Sequence, residues 1–144
     1  MQNGRVSDFN TQIIDEFRAN GGHVQTAGFG DNLILLHTVG VKSGEPRINP
    51  LAAIPEGDSW LIVGSYAGAT KNPAWVHNLR AQPQVSVEYP ASGEVKSSDA
   101  AATELDPVAR DEAWAKFVAF SPQFEKYTET AEGRVFPIFR ITRA

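Results

Sequence analysis

Leu33-Ile34-Leu35-Leu36-His37-Thr38-Val39-Gly40-Val41-Lys42-Ser43-Gly44-Glu45-Pro46-Arg47-Ile48-Asn49-Pro50-Leu51-Ala52-Ala53-Ile54 is the stretch that decides the fold. Its first seven residues read as a strand, opening on the apolar run Leu33 to Leu36. Gly40 to Gly44 supplies turn residues, and Arg47 to Ile54 reads as the returning strand. Pro50 inside that second strand predicts an edge position or a bulge, because proline gives no N–H to a ladder.

Outward from this hairpin, Pro55-Glu56-Gly57-Asp58 is a second turn and Trp60 to Ser65 a third strand. Three successive strands without intervening helices exclude a parallel nucleotide-binding sheet, whose crossovers need a helix each. Asn72 is placed to cap a helix with Pro73 at its first position, running to about Ala81. Val85 to Tyr89 and Glu94 to about Glu104 form another hairpin around Pro90-Ala91-Ser92-Gly93. Asp106-Pro107 opens a helix that turns Val108, Trp114, Phe117 and Val118 toward the core. Ser121 to Thr128 is irregular or a short helix, and Arg134 to Thr142 closes the chain as a strand, with Pro137 implying an edge or bulge. At the other end Ser7 caps a first helix with Phe9, Ile13, Ile14 and Phe17 on one stripe, stopped by Gly21 and Gly22. His23 to Asn32 is a glycine-rich loop. The fold class is therefore α+β, mainly β: an antiparallel sheet closed into a small barrel, with helices packed outside.

The chain has 144 residues, 42% hydrophobic and 21% charged, which suits one domain over 1–144 with 1–30 as an N-terminal helix and loop. The net charge of -4 speaks against coating a nucleic acid. The absence of cysteine removes disulfides and thiolate chemistry, in keeping with a reducing cytoplasm. No secretory leader and no membrane-spanning run is visible. Peripheral membrane contact stays open through Phe9, Ile13 and Phe17.

Two segments concentrate polar chemistry. In the first, Lys42, Ser43, Gly44 and Arg47 bring two cations, a hydroxyl and turn amides to one hairpin, a set able to hold a phosphate or carboxylate. The same residues also make an ordinary hairpin with solvated charges, and the spacing is not that of a Walker loop. In the second, Gly64-Ser65-Tyr66-Ala67-Gly68-Ala69-Thr70-Lys71-Asn72-Pro73-Ala74-Trp75, a strand ends in small residues and leads into a helix N-terminus. Small residues admit a planar ring near the backbone, and the helix start favours negative charge. A plain strand–turn–helix corner with Trp75 in the core is the competing reading. His23, His37 and His77 lack metal-ligand spacing, so no metal is expected. Ser65 lacks the Gly-x-Ser-x-Gly setting of a nucleophile.

These two segments resemble the deazaflavin-dependent nitroreductase family, which includes the coenzyme F420-dependent quinone reductases of actinobacteria. The resemblance runs from about Asn32 to Phe136. It is strongest over Leu35 to Leu51 and over Gly68 to Leu79. It implies a split β-barrel like the pyridoxamine phosphate oxidase type and a reduced 8-hydroxy-5-deazaflavin, coenzyme F420, as cofactor. It implies that Lys42, Ser43, Gly44 and Arg47 hold the phosphate and acidic tail. Asn49, Pro50, Gly64, Ser65, Tyr66, Ala67, Gly68, Ala69, Lys71, Asn72 and Trp75 would line the ring and ribityl chain. Ser121, Phe124 and Tyr127 would form the acceptor wall, with Tyr127 and Ser65 as the catalytic candidates. Better-known members carry several tyrosines where this chain has Ser121, Phe124 and Tyr127, and only Tyr127 keeps a phenol. The implied reaction is hydride transfer to a quinone or a similar electron-poor small molecule, by a monomer or homodimer. An FMN-dependent reductase of the same fold and a non-catalytic ligand carrier are the alternatives.

Overall fold

The computed structural model describes residues 5–26, 30–64, 72–121, 124–126 and 135–144. Among the described residues the elements follow in the order α1 (Arg5–Ala19), β1 (Leu33–Val39), β2 (Pro46–Ala52), β3 (Ile54–Glu56), β4 (Ser59–Val63), α2 (Ala74–Ala81), β5 (Gln84–Ala91), β6 (Glu94–Glu104), α3 (Pro107–Phe120) and β7 (Ile138–Arg143). All described strand pairs are antiparallel, and the sheet order is β2-β1-β5-β6-β7-β4-β3.

That order forces the sheet to curl. The two outermost strands, β2 and β3, are consecutive in the chain with only Ala53 between them. Laid flat, seven strands would separate these edges by roughly 29 Å, at about 4.8 Å per strand gap. Two residue steps span at most about 7 Å. The edges must therefore meet at Ala53, which is buried and whose N–H donates to the carbonyl of Asn32 at 2.8 Å. The expected returning strand from Arg47 to Ile54 is thus two strands. It breaks at Ala53, and Ile54 pairs with Leu61 of β4 on the far side of the seam.

Alternation sorts the side chains. Ile34 and Leu36 of β1, Trp60 and Ile62 of β4, Val87 of β5, and Phe139 and Ile141 of β7 form the interior, which Trp75, Val76 and Leu79 of α2 complete. Leu33 and Leu35 point the other way, against Ile13, Phe17 and Val24. Leu61 and Ile138 meet Ala113 and Phe117 of α3. The unbroken apolar run at the start of β1 reflects burial on both faces.

Several local expectations shift. Helix α1 already runs from Arg5, so Ser7 lies inside it and is not its cap. Ile13 and Phe17 are fully buried, which removes them from any membrane contact and leaves Phe9 exposed alone on that stripe. Val108 is 72% exposed: it precedes Ala113 by five residues, about 140° out of phase with the buried face of α3. Asp106 caps α3 as expected, accepting from the Ala109 N–H at 2.9 Å. Pro50 sits on the edge strand β2, opposite Leu35. Pro137 precedes β7, an interior strand, so its missing N–H costs no ladder bond, while its carbonyl accepts from Gly64 N–H at 2.8 Å. Among the described residues no helix is long and apolar enough to cross a membrane.

One ion cluster pins α1 to the sheet. Arg18 donates to both oxygens of Glu88, at 2.9 and 2.7 Å, and His37 Nε2 lies 2.5 Å from the same carboxylate. Glu88 is only 9% exposed. The Arg18 guanidinium, chiefly, holds its carboxyl below the usual range; burial opposes this and His37 reinforces it. A carboxylate with a depressed folded-state pKa contributes stability that is present above its unfolded value and is lost as pH falls through its folded value. Arg18→Met should therefore destabilise the fold by roughly 1–2 kcal/mol at pH 7. Urea unfolding across pH should show the gap between variant and wild type closing below about pH 4. A gap of the same size at pH 3 would contradict the assignment.

Candidate functional site

The hairpin turn between β1 and β2 is held by its own backbone. Gly40 N–H donates to Glu45 O and Gly44 N–H to Gly40 O, each at 2.9 Å, and Gly44 takes φ of 70°, which glycine adopts without strain. Ser43 Oγ accepts from Glu45 N–H at 3.1 Å and from Arg47 Nη2 at 3.4 Å. The Arg47 guanidinium thereby folds back over the turn, with the Glu45 carboxylate 3.5 Å away. Both side chains are at least half exposed, and such a pair is worth no more than about 1 kcal/mol. Little energy thus holds Glu45 to Arg47.

Across from the turn stands the start of α2. Pro73 occupies the N-cap position that sequence gave to Asn72, and it offers no capping side chain. The first turn of α2 carries no acidic residue, so the positive end of the helix is not neutralised from within. Turn and helix enclose a groove of about 500 Å³ bordered by Gly40, Val41, Lys42, Ser43, Arg47, Ala74, His77 and Asn78. Of the two segments singled out from sequence, the first borders the groove through Gly40, Val41, Lys42, Ser43 and Arg47, and the second, Gly64 to Trp75, through Ala74; His77 and Asn78 follow it on α2.

A buried network fixes their spacing. Asn78, 6% exposed, accepts from Val41 N–H through Oδ1 at 3.2 Å and donates through Nδ2 to Thr38 Oγ1 at 3.2 Å. Asn49 Nδ2 donates to the same Thr38 oxygen at 3.2 Å and to Leu36 O at 3.1 Å. Thr38 is thus a node joining β1, β2 and α2. Sequence reading passed over Thr38 and Asn78. The available signal was a lone amide on the otherwise apolar face of α2 formed by Trp75, Val76 and Leu79.

Other site candidates lie elsewhere. Trp75 is 7% exposed and packs edge-on against Phe139 in the interior, 6.0 Å between centroids. Gly64 is buried where β4 leaves the sheet. A Cβ there would come within 2.8 Å of Val76 Cγ2 and 3.1 Å of Pro137 Cγ. Pro50 is half-buried on β2. Ser121 is the C-cap of α3, and Phe124 stacks edge-on with Phe117 and Trp114 at 5.4 and 6.2 Å. None of these borders the groove. Asn72 is half-buried beside it in sequence. Ser65, Tyr66, Ala67, Gly68, Ala69, Lys71 and Tyr127 lie outside the described residues. Among the described residues no group of His, Asp and Glu could hold a metal ion.

The family model for F420H(2)-dependent quinone reductase matches residues 10–142. The chain belongs to that family. An F420H(2)-dependent quinone reductase of Mycobacterium tuberculosis is 44% identical over 54 residues, 38% of this chain and 36% of the relative. The match thus spans about a third of that relative's length. A solved structure described as an F420-H2 dependent reductase, FDR-A, is similar at 32% identity and TM-score 0.65, covering 76% of this chain and 93% of that one. Another, described as a domain-swapped dimer, is similar at 30% identity and TM-score 0.67, covering 94% and 96%.

Two variants probe this architecture. Asn78→Ala should cost roughly 1–3 kcal/mol and expose the Val41 amide to faster hydrogen exchange, since its acceptor is removed. Gly64→Val should cost about 2–3 kcal/mol by crowding Val76 and Pro137, read as a fall in melting temperature; an unchanged melting temperature would refute the tight packing at this corner.

Proposed function

We propose that this chain is an oxidoreductase that carries a hydride from reduced coenzyme F420 to a quinone-like acceptor. One observation carries the reading: the groove in which Lys42, Ser43 and Arg47 stand across from the start of α2. Membership of the family supplies the identity of the cofactor.

The residues suit an acidic arm. Lys42 and Arg47 give two exposed cations, and the Ser43 hydroxyl and turn amides give directional donors. The helix start adds a fixed positive end. Val41 and Ala74 give the groove an apolar floor for the uncharged part of the arm. Behind the turn, the Thr38–Asn78 network keeps turn and helix at one separation, with Asn78 itself on the groove wall. Such rigidity lowers the ordering cost of binding.

When bound, reduced F420 supplies the hydride, and the protein orients it and excludes water. Gly64, Ser65, Tyr66, Ala67, Gly68, Ala69, Lys71, Asn72 and Trp75, with Asn49 and Pro50, are assigned to the wall around the ring. Ser121, Phe124 and Tyr127 are assigned to the acceptor side, with Tyr127 and Ser65 as the groups donating hydrogen bonds to the reacting atoms. Pairing of two copies is supported by the related domain-swapped dimer.

Titration with reduced F420 tests the reading directly. Lys42→Ala and Arg47→Ala should each weaken binding by roughly 5- to 50-fold, the loss of one charge-assisted contact. Both side chains are exposed, so melting temperatures should move by no more than about 2 °C. Equal affinity in wild type and both variants would remove the anion site.

A further inference from the structure

Phe136, Pro137 and Ile138 lead the chain into β7, and the carbonyl of each accepts from a different part of the molecule. Leu105 N–H, between β6 and α3, donates to Ile138 O at 2.9 Å. Gly64 N–H, where β4 ends, donates to Pro137 O at 2.8 Å. Both donors are backbone groups, present whatever the side chain. The third bond differs in kind: Phe136 O accepts from a side chain, Arg110 Nε of α3, at 2.9 Å. Phe136 is fully buried, and withdrawing a donor from a buried carbonyl is costly.

Arg110 does more than close this bond. Its guanidinium lies 5.3 Å from the centre of the Trp114 ring, one turn further along α3, and its Nη1 donates to Asp111 at 3.0 Å. Its side chain is only 15% exposed. One planar group thus offers an edge to a carbonyl, an edge to a carboxylate and a charge to an indole, which a compact ammonium does not do at once. Trp114 in turn meets Phe136 at 5.5 Å and Phe124 at 6.2 Å, both edge-on, and Phe117 meets Phe124 at 5.4 Å. Phe124 is built directly off the end of α3: its N–H donates to Ser121 O at 3.1 Å, and Ser121 N–H to Phe117 O at 2.9 Å.

Arg110 therefore stands between two walls of the site. Through Trp114 it reaches Phe124, assigned above with Ser121 to the acceptor side. Through Phe136 it reaches Pro137 and so Gly64, where the segment assigned to the cofactor ring begins. We propose that Arg110 is a positioning residue, which fixes the acceptor wall relative to the ring wall and touches neither ligand. The inference rests on the function proposed above. A wall that holds the acceptor acts alike in the bound and the reacting state, so loosening it raises KM and leaves kcat in place.

Arg110→Met and Arg110→Lys test the assignment with menadione as acceptor. Arg18→Met, which loosens α1 rather than α3, controls for loss of stability alone. Arg110→Met should raise the menadione KM at least about fivefold, with kcat and the Kd for reduced F420 within about twofold of wild type. Arg110→Lys should fall between the two, and it carries the test if Arg110→Met does not fold. Without any ligand, the Gly64 amide should exchange faster in the Arg110 variants than in Arg18→Met. A wild-type KM in the Arg110 variants, or an equal rise in Arg18→Met, overturns the role. Failure of the wild-type protein to bind reduced F420 would instead remove the proposed function. Gly64 exchange would then still decide the matter, since an unchanged rate shows that Arg110 does not hold this corner.

Discussion

One buried alanine sets the geometry of this protein. The sheet begins at β2 and ends at β3, and the chain passes from one to the other through Ala53 alone. No planar sheet of seven strands satisfies that link. Curling follows as a matter of chain length, and with it an inside large enough for two tryptophans and an outside with places for α1 and α3. Among the described residues no ladder joins β2 to β3, so the barrel is split along this line.

The curl also determines where function gathers. Helix α2 puts its apolar face into the barrel's interior, which leaves its start beside the β1–β2 turn and its end beside α3. The Thr38 hydroxyl, with amides of Asn49 and Asn78 donating to it, locks this arrangement at a point water does not reach. Polar contacts of this kind are weak where solvent competes and costly to break when buried. The exposed Arg47–Glu45 pair on the same turn is the opposite case, readily exchanged. Rigid support thus lies beneath labile charge.

Much of the fold was legible from hydrophobic periodicity. Leu33–Val39 and Glu94–Glu104 have the expected bounds, and Asp106-Pro107 opens α3 as its chemistry dictates. The split of Arg47–Ile54 was not legible, because a corner at Ala53 leaves an extended, apolar stretch looking like one strand. Val108 misled because valine near a helix start reads as apolar whatever its phase. For the site, charge and turn chemistry pointed to Lys42, Ser43 and Arg47, and the fold brings them to the start of α2. A lone amide on the apolar face of α2 marks Asn78, but its role is not legible until its partners, 37 and 40 residues away, are known. Trp75 carried two readings, core and cofactor wall; it packs against Phe139.

The split has a further consequence for how the molecule behaves in a crowd of its own kind. Among the described residues no strand pairs with the outer edge of β2 or of β3, and a bare margin of this kind is able to recruit a stray strand and start a fibril. Of the nine prolines in the chain, Pro46 and Pro50 lie on one margin and Pro55 on the other. Each deletes an amide from the row that a newcomer would have to match. Residues that look like flaws in a strand thus deny a newcomer part of the hydrogen-bond row it would need along the seam.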